Sequence, residues 1–91
     1  MSLIIRQATV EDCPLILKFI RELADYEKLL HEVVADIGTL EESLFGYKPY
    51  AEVVIAQYQG QPVGFALFFH NYSTFLGRPG LYLEDLYIQP E

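Results

Sequence analysis

The spacing of hydrophobic positions changes along the chain. Residues 3–7, Leu-Ile-Ile-Arg-Gln, are a short β-branched run and predict a first strand. From Cys13 the apolar residues fall at helical intervals: Cys13, Ile16, Ile20, Leu23 and Ala24, with Leu17 and Phe19 broadening the stripe. Glu11, Lys18, Arg21, Glu22 and Asp25 take the other side. This predicts an amphipathic helix from about Val10 to Lys28. Thr9 stands as its N-cap, with Asp12 in the capping-box position. Pro14 falls near the first turn, where a missing N–H costs least. Residues 29–35 are less regular and form a loop containing His31. Asp36 or Thr39 can cap a second, shorter helix through Leu40, Leu44 and Phe45, with Gly46 as its stop.

Beyond residue 50 the period becomes two. Residues 50–58 alternate, Gln59-Gly60-Gln61-Pro62 reads as a turn with Gly60 at positive φ, and residues 63–72 form the second arm of a hairpin. A loop over 73–80 leads to a last strand, 81–88. The order β-α-α-β-β-β, with its last three strands consecutive, predicts an α+β fold around an antiparallel meander. There are no internal repeats or linker-like stretches, and 91 residues suit one domain.

Composition sharpens this picture. At 52% hydrophobic and 14% aromatic the chain is built to bury a core and is unusually apolar for its size. Either it packs tightly, or part of that surface is meant to be covered by something else. Six basic residues face 13 acidic ones, for a net charge of -7. That balance argues against nucleic acid and against an anionic membrane surface, whereas a cationic partner fits the sign. Cys13 is the only cysteine, which excludes an internal disulfide and fits a reducing compartment. The opening apolar run is too short for a signal peptide or a span, so the protein reads as cytoplasmic.

Most catalytic signatures are missing. There is no G-x-G, hence no dinucleotide fingerprint or P-loop, and no G-x-S-x-G elbow. His31-Glu32 opens like a zinc-protease helix, but Ala35 stands where the second histidine belongs. His31, His70 and Cys13 lack metal-ligand spacing, so no metal site is expected. The informative segment is residues 81–88, Leu-Tyr-Leu-Glu-Asp-Leu-Tyr-Ile, with two adjacent carboxylates in an apolar strand. Strand alternation sends Glu84 to one face and Asp85 to the other. Buried carboxylates are costly unless paired or used. A wet strand face, with one carboxylate capping a neighbouring backbone group, would satisfy the same pattern. Asp25-Tyr26-Glu27 is by itself an ordinary helix end. A cationic substrate between the two segments would give both a use.

Four segments carry a resemblance: I-R-Q-A-T-V-E-D-C at 5–13, L-A-D-Y-E-K-L at 23–29, V-G-F-A-L-F-F at 63–69 and G-L-Y-L-E-D-L-Y-I at 80–88. In order and across the whole chain they resemble the GNAT superfamily, and more narrowly its diamine (spermidine/spermine and thialysine) acetyltransferases and their bacterial relatives. The resemblance implies the N-terminal half of a GNAT fold, with an open last-strand edge. It implies transfer of acetyl from acetyl-CoA to a primary amine by direct attack, without an acyl-enzyme. Glu84 matches the carboxylate that draws the proton off the amine through water, and Asp85 a neighbouring acidic position of the amine site. Tyr26 and Glu27 match residues that hold the substrate's cationic chain. The backbone of Leu86, Tyr87 and Ile88 matches the strand that pairs with the pantetheine arm and polarises the thioester carbonyl. In this superfamily the strand runs on into an R/Q-x-x-G-x-G/A loop that cradles the CoA pyrophosphate. This sequence stops at Ile88-Gln89-Pro90-Glu91. Residues 1–91 are therefore expected to be a single partial domain that binds acetyl-CoA weakly and is inactive alone. The expected partner is a small amine, with no nucleic acid and no membrane. A homodimer, or association through the exposed edge, is also expected. The alternative is a non-catalytic fold remnant that works by that association.

Overall fold

A computed structural model describes residues 2–90. The elements are β1 (Leu3–Gln7), α1 (Cys13–Tyr26), α2 (Ile37–Phe45), β2 (Glu52–Tyr58), β3 (Gln61–Ser73) and β4 (Arg78–Ile88), with 3₁₀ turns at Val10–Asp12 and Leu30–Glu32. The strands form one sheet in the order β1-β2-β3-β4, and every neighbouring pair is antiparallel. This is the α+β meander read from the sequence.

The element ends follow from local chemistry. The helix expected from Val10 opens instead as a 3₁₀ turn, and α1 proper starts at Cys13 with Pro14 in its first turn. Asp12 holds that opening. Its carboxylate accepts from the Thr9 N–H at 2.7 Å and takes a two-pronged grip from Arg6 of β1, with both contacts at 2.8 Å. The helix stops at Tyr26, short of Lys28, because Lys28 turns left-handed at φ 63°. The Leu29 N–H then folds back on the Ala24 carbonyl at 2.7 Å. Of the two candidate caps for α2 the structure selects Asp36. Asp36 and Thr39 exchange backbone-to-side-chain bonds of 2.8 and 3.0 Å. Gly46 ends α2 through close approach, since a Cβ there would collide with the Glu42 carbonyl oxygen.

The β2–β3 hairpin is tighter than expected. Gln59 and Gly60 both have positive φ, as a two-residue turn of this hand requires. Pro62 therefore lies inside β3, where the register against β2 slips beside Gln57 and a missing N–H is tolerated. The loop expected over 73–80 shrinks to 74–77, closed by Ser73, whose carbonyl accepts the Gly77 N–H at 2.8 Å.

Both helices pack on one face of the sheet. The core there is Cys13, Ile16, Phe19, Leu40, Leu44, Val53, Ile55 and Phe65. Phe19 stacks on Phe65, with ring centres 5.9 Å apart and planes within 7°. The ladder sends alternate residues to the opposite face. There Leu3, Ile5, Leu81, Leu83, Leu86 and Ile88 are each more than half exposed. The apolar excess in the composition is thus surface, not tighter packing. Among the described residues no charged side chain is buried, and no helix is long and apolar enough to cross a membrane.

The Arg6 guanidinium holds the Asp12 carboxyl down to about 2. A depressed carboxylate stabilises the fold while it is ionised, so its contribution is complete above about pH 5 and is lost as pH falls toward the folded value. Asp12→Asn is expected to cost about 1–2 kcal/mol at pH 7. Thermal denaturation across pH should show the variant and parent converging near pH 2.

Candidate functional site

β4 ends the sheet, so its outer edge has no strand neighbour among the described residues. Its pairing with β3 is irregular at one point. Leu67 lies opposite Asp85 and Phe68 opposite Leu83, which leaves Glu84 without a partner. This is a β-bulge, an interruption that the simple alternation read from the sequence does not include. The extra residue resets the count. Upstream, Tyr82 stacks on Phe69 with ring centres 5.0 Å apart. Downstream, half-buried Asp85, Tyr87 and Gln89 alternate with exposed Leu86 and Ile88.

Three carboxylates meet at this bulge. Asp85 is half-buried, and its carboxyl is raised above the ordinary value first by burial, then by the charges of Glu84 and Glu27. Glu27 is the residue just past α1, tied by its N–H to the Leu23 carbonyl at 3.1 Å. Among the described residues none of the three joins an ion pair. Tyr26, 79% exposed, stands beside them at the helix end. It lines a groove of about 290 Å³ with Leu23, Leu86, Tyr87, Ile88 and Pro90. The residues singled out in the sequence thus converge in two adjoining groups. Tyr26 and 86–88 line the groove, and Glu27, Glu84 and Asp85 form the acidic group at the bulge. None of these three carboxylates lines the groove itself, and Glu84 is exposed.

Two further residues belong here that the sequence reading missed. The Tyr87 hydroxyl donates to Glu22 Oε1 at 2.9 Å, and the Gln89 side-chain amide donates to the same oxygen at 3.1 Å. The Tyr87 ring lies 5.9 Å from Phe19, tilted by 53°. Burial raises the Tyr87 hydroxyl pKa, and the Glu22 hydrogen bond and charge add to that. Helical spacing puts Glu22 on the polar side of α1. It lies three residues after fully buried Phe19 and next to Leu23, which is the one signal that it borders the core stripe. From the other side Gly64 pairs with Ile88, and a Cβ on Gly64 would collide with the Tyr87 carbonyl oxygen.

No protein-family model matches the chain. It is 41% identical to a thialysine N-epsilon-acetyltransferase of Sus scrofa, over 99% of this chain and 57% of that protein. It is 36% identical to the human spermidine/spermine N(1)-acetyltransferase-like protein 1, over 92% of this chain and 13% of that protein. The chain therefore spans little more than half the length of the thialysine acetyltransferases it matches. Among solved structures, a ribosomal-protein-alanine N-acetyltransferase from Brucella melitensis biovar Abortus 2308 superposes with a TM-score of 0.74. That match has 19% identity and covers 98% of this chain and 58% of the other.

Crowded carboxylates without a cation oppose folding. Asp85→Asn is expected to raise the melting temperature at pH 7. An Asp with a raised folded value is penalised only while ionised, so the gain should disappear as pH falls below about 4. Melting curves of parent and variant at both pH values check this.

Proposed function

We propose, starting from a chain with the sequence and fold of the GNAT N-acetyltransferases and a resemblance to their diamine branch, that it supplies the amine-binding side of an acetyl-CoA-dependent N-acetyltransferase. The substrate in this reading is a small primary amine that carries further positive charge. The observation that supports it is the crowding of Glu27, Glu84 and Asp85 beside the free edge of β4. A half-buried Asp85 pressed by the charges of Glu84 and Glu27, with no ion-pair partner among the described residues, fits a site whose ligand brings the positive charge.

Each residue then has a role. Glu27 and Asp85 take the distal ammonium groups, and the exposed Tyr26 ring covers the alkyl chain or faces a cation. The reacting amine must be neutral, and Glu84, exposed at the bulge, receives its proton through water. The amine nitrogen bonds to the acetyl carbonyl carbon, the carbon–sulfur bond breaks, and the electron pair leaves on sulfur. The backbone of residues 86–88, unpaired on its outer side, offers N–H donors to the thioester carbonyl, which acetyl-CoA brings as the second substrate. The apolar walls Leu23, Leu86 and Ile88 suit a pantetheine arm. The resemblance assigns the pyrophosphate contacts to a segment beyond Ile88. The single cysteine suits a cytoplasmic protein.

Spermidine titration followed by ¹H–¹⁵N NMR tests the site without requiring turnover. Amides at 26–27 and 84–86 should shift. The Glu27→Gln/Asp85→Asn pair should weaken binding by about tenfold or more, with the affinity falling as salt rises. Shifts confined to another surface, or an unchanged affinity in the double variant, would sink the reading.

A second reading is association of two copies through the β4 edge. From Val53 to Leu83 the only formal charge is Arg78, so the first half of that edge has little like-charge protection. Leu81 and Leu83 are exposed there. Sedimentation should show a concentration-dependent dimer that Leu83→Lys abolishes, and a strict monomer at high concentration overturns it.

A further inference from the structure

We infer that Glu22 is a positioning residue for the acyl-receiving edge, holding the 86–88 backbone in place through Tyr87 and Gln89. The inference rests on the reading above, that this edge receives the thioester.

One carboxylate oxygen accepts from two donors two residues apart, Tyr87 of β4 at 2.9 Å and Gln89, just past the strand's end, at 3.1 Å. Residues two apart share a strand face, so both reach α1 while Ile88 between them points away. The grip therefore holds the end of the segment whose backbone is the candidate oxyanion donor, one contact inside it and one just past it. Among the described residues no strand pairs with its outer side, so the helix-side contacts carry its position there. On its inner side the last bond runs from the Gln89 N–H to the Val63 carbonyl at 2.7 Å, and Val63 is the residue the β2–β3 register skips. From the opposite face Gly64 lets the Tyr87 carbonyl and Ile88 close in. Gly64 thus sets how near the strand end comes to the sheet, and Glu22 sets where it sits against the helix.

The charge of Glu22 is not taken up elsewhere. Its other oxygen is 4.0 Å from the exposed Lys18 ammonium, a long surface contact of little weight. A charged acceptor makes the stronger hydrogen bond, which suits a two-donor grip. The Tyr87 ring packs on Phe19 without help from its hydroxyl. The hydroxyl is therefore available to fix position, and displacements of about 1 Å at a catalytic donor can cost on the order of a hundredfold in rate.

The test uses the 91-residue chain. Glu22→Leu removes the acceptor, Glu22→Gln keeps Oε1, and Tyr87→Phe removes the hydroxyl alone. Ile16→Val, in the fully buried core, controls for general destabilisation. Amide hydrogen exchange at 86–88, measured relative to β2, should quicken roughly tenfold in Glu22→Leu and by a smaller factor in Tyr87→Phe. Glu22→Gln, which keeps a neutral acceptor, should quicken it less than Glu22→Leu does, and Ile16→Val should show no selective effect on 86–88. An acetyl-CoA titration should give weak shifts at 86–88 that Glu22→Leu diminishes and Glu22→Gln restores. Exchange at 86–88 in Glu22→Leu and Tyr87→Phe no faster than in Ile16→Val overturns the inference. Absence of any acetyl-CoA response in the parent chain overturns instead the reading of the edge on which it rests, and the exchange pattern still decides the grip.

Discussion

Phe19 is fully buried, and its ring lies 5.9 Å from both Phe65 of β3 and Tyr87 of β4. That contact fixes α1 across the two strands that carry the candidate site. Helix geometry does the rest. Tyr26 and Glu27 follow Phe19 by about two turns on nearly the same side, so the helix end arrives over the end of β4. Removing a buried aromatic of this kind costs about 3–5 kcal/mol. Its loss would also free the helix end from the strand, and the groove and the cluster of carboxylates depend on that relation. At its other end α1 is tied to β1 by the Arg6–Asp12 pair, so the helix has little freedom to slide.

Two irregularities in the ladder give the sheet its chemistry. At Val63 the slip lets Pro62 sit in a strand and leaves the end of β4 bonded to a less regular stretch of β3. At Glu84 the extra residue leaves one carboxylate outside the ladder while Asp85 resumes the pairing opposite Leu67. Without that insertion the strand downstream would present its other face to α1, and Tyr87 could not meet Glu22. One bulge therefore supports both the exposed carboxylate and the two-donor grip behind the strand end.

Charge is distributed to match. The stretch from Val53 to Leu83 is formally neutral except for Arg78, while Glu22, Asp25, Glu27, Glu84 and Asp85 belong to α1, the residue past its end and the later half of β4. Glu22 is offset by its two donors. The charges of Glu84 and Glu27 add to burial in opposing the ionised Asp85 carboxyl, which is raised accordingly. Proteins commonly accept such local destabilisation where a ligand supplies the compensation.

What the sequence determined by itself was local. The 3.6-residue stripe from Cys13 to Leu23, the Asp36–Thr39 cap, the positive φ at Gly60 and the two-residue alternation beyond residue 50 are all encoded by near neighbours, and each led to the right element. The segments L-A-D-Y-E-K-L and G-L-Y-L-E-D-L-Y-I were enough to point to a family. Only the tertiary structure decided how those elements register. Nothing near Glu84 announces that it is skipped, because the slip depends on how β4 meets Leu67 and Phe68 of another strand. Near Glu22 only its spacing from Phe19 separates it from Glu11 or Arg21 on the polar side, and that spacing does not name its partners, because Tyr87 and Gln89 lie 65 and 67 residues away. Periodicity tells a residue which side of its own element it occupies. Which distant group it meets there is set by pairing and packing between segments.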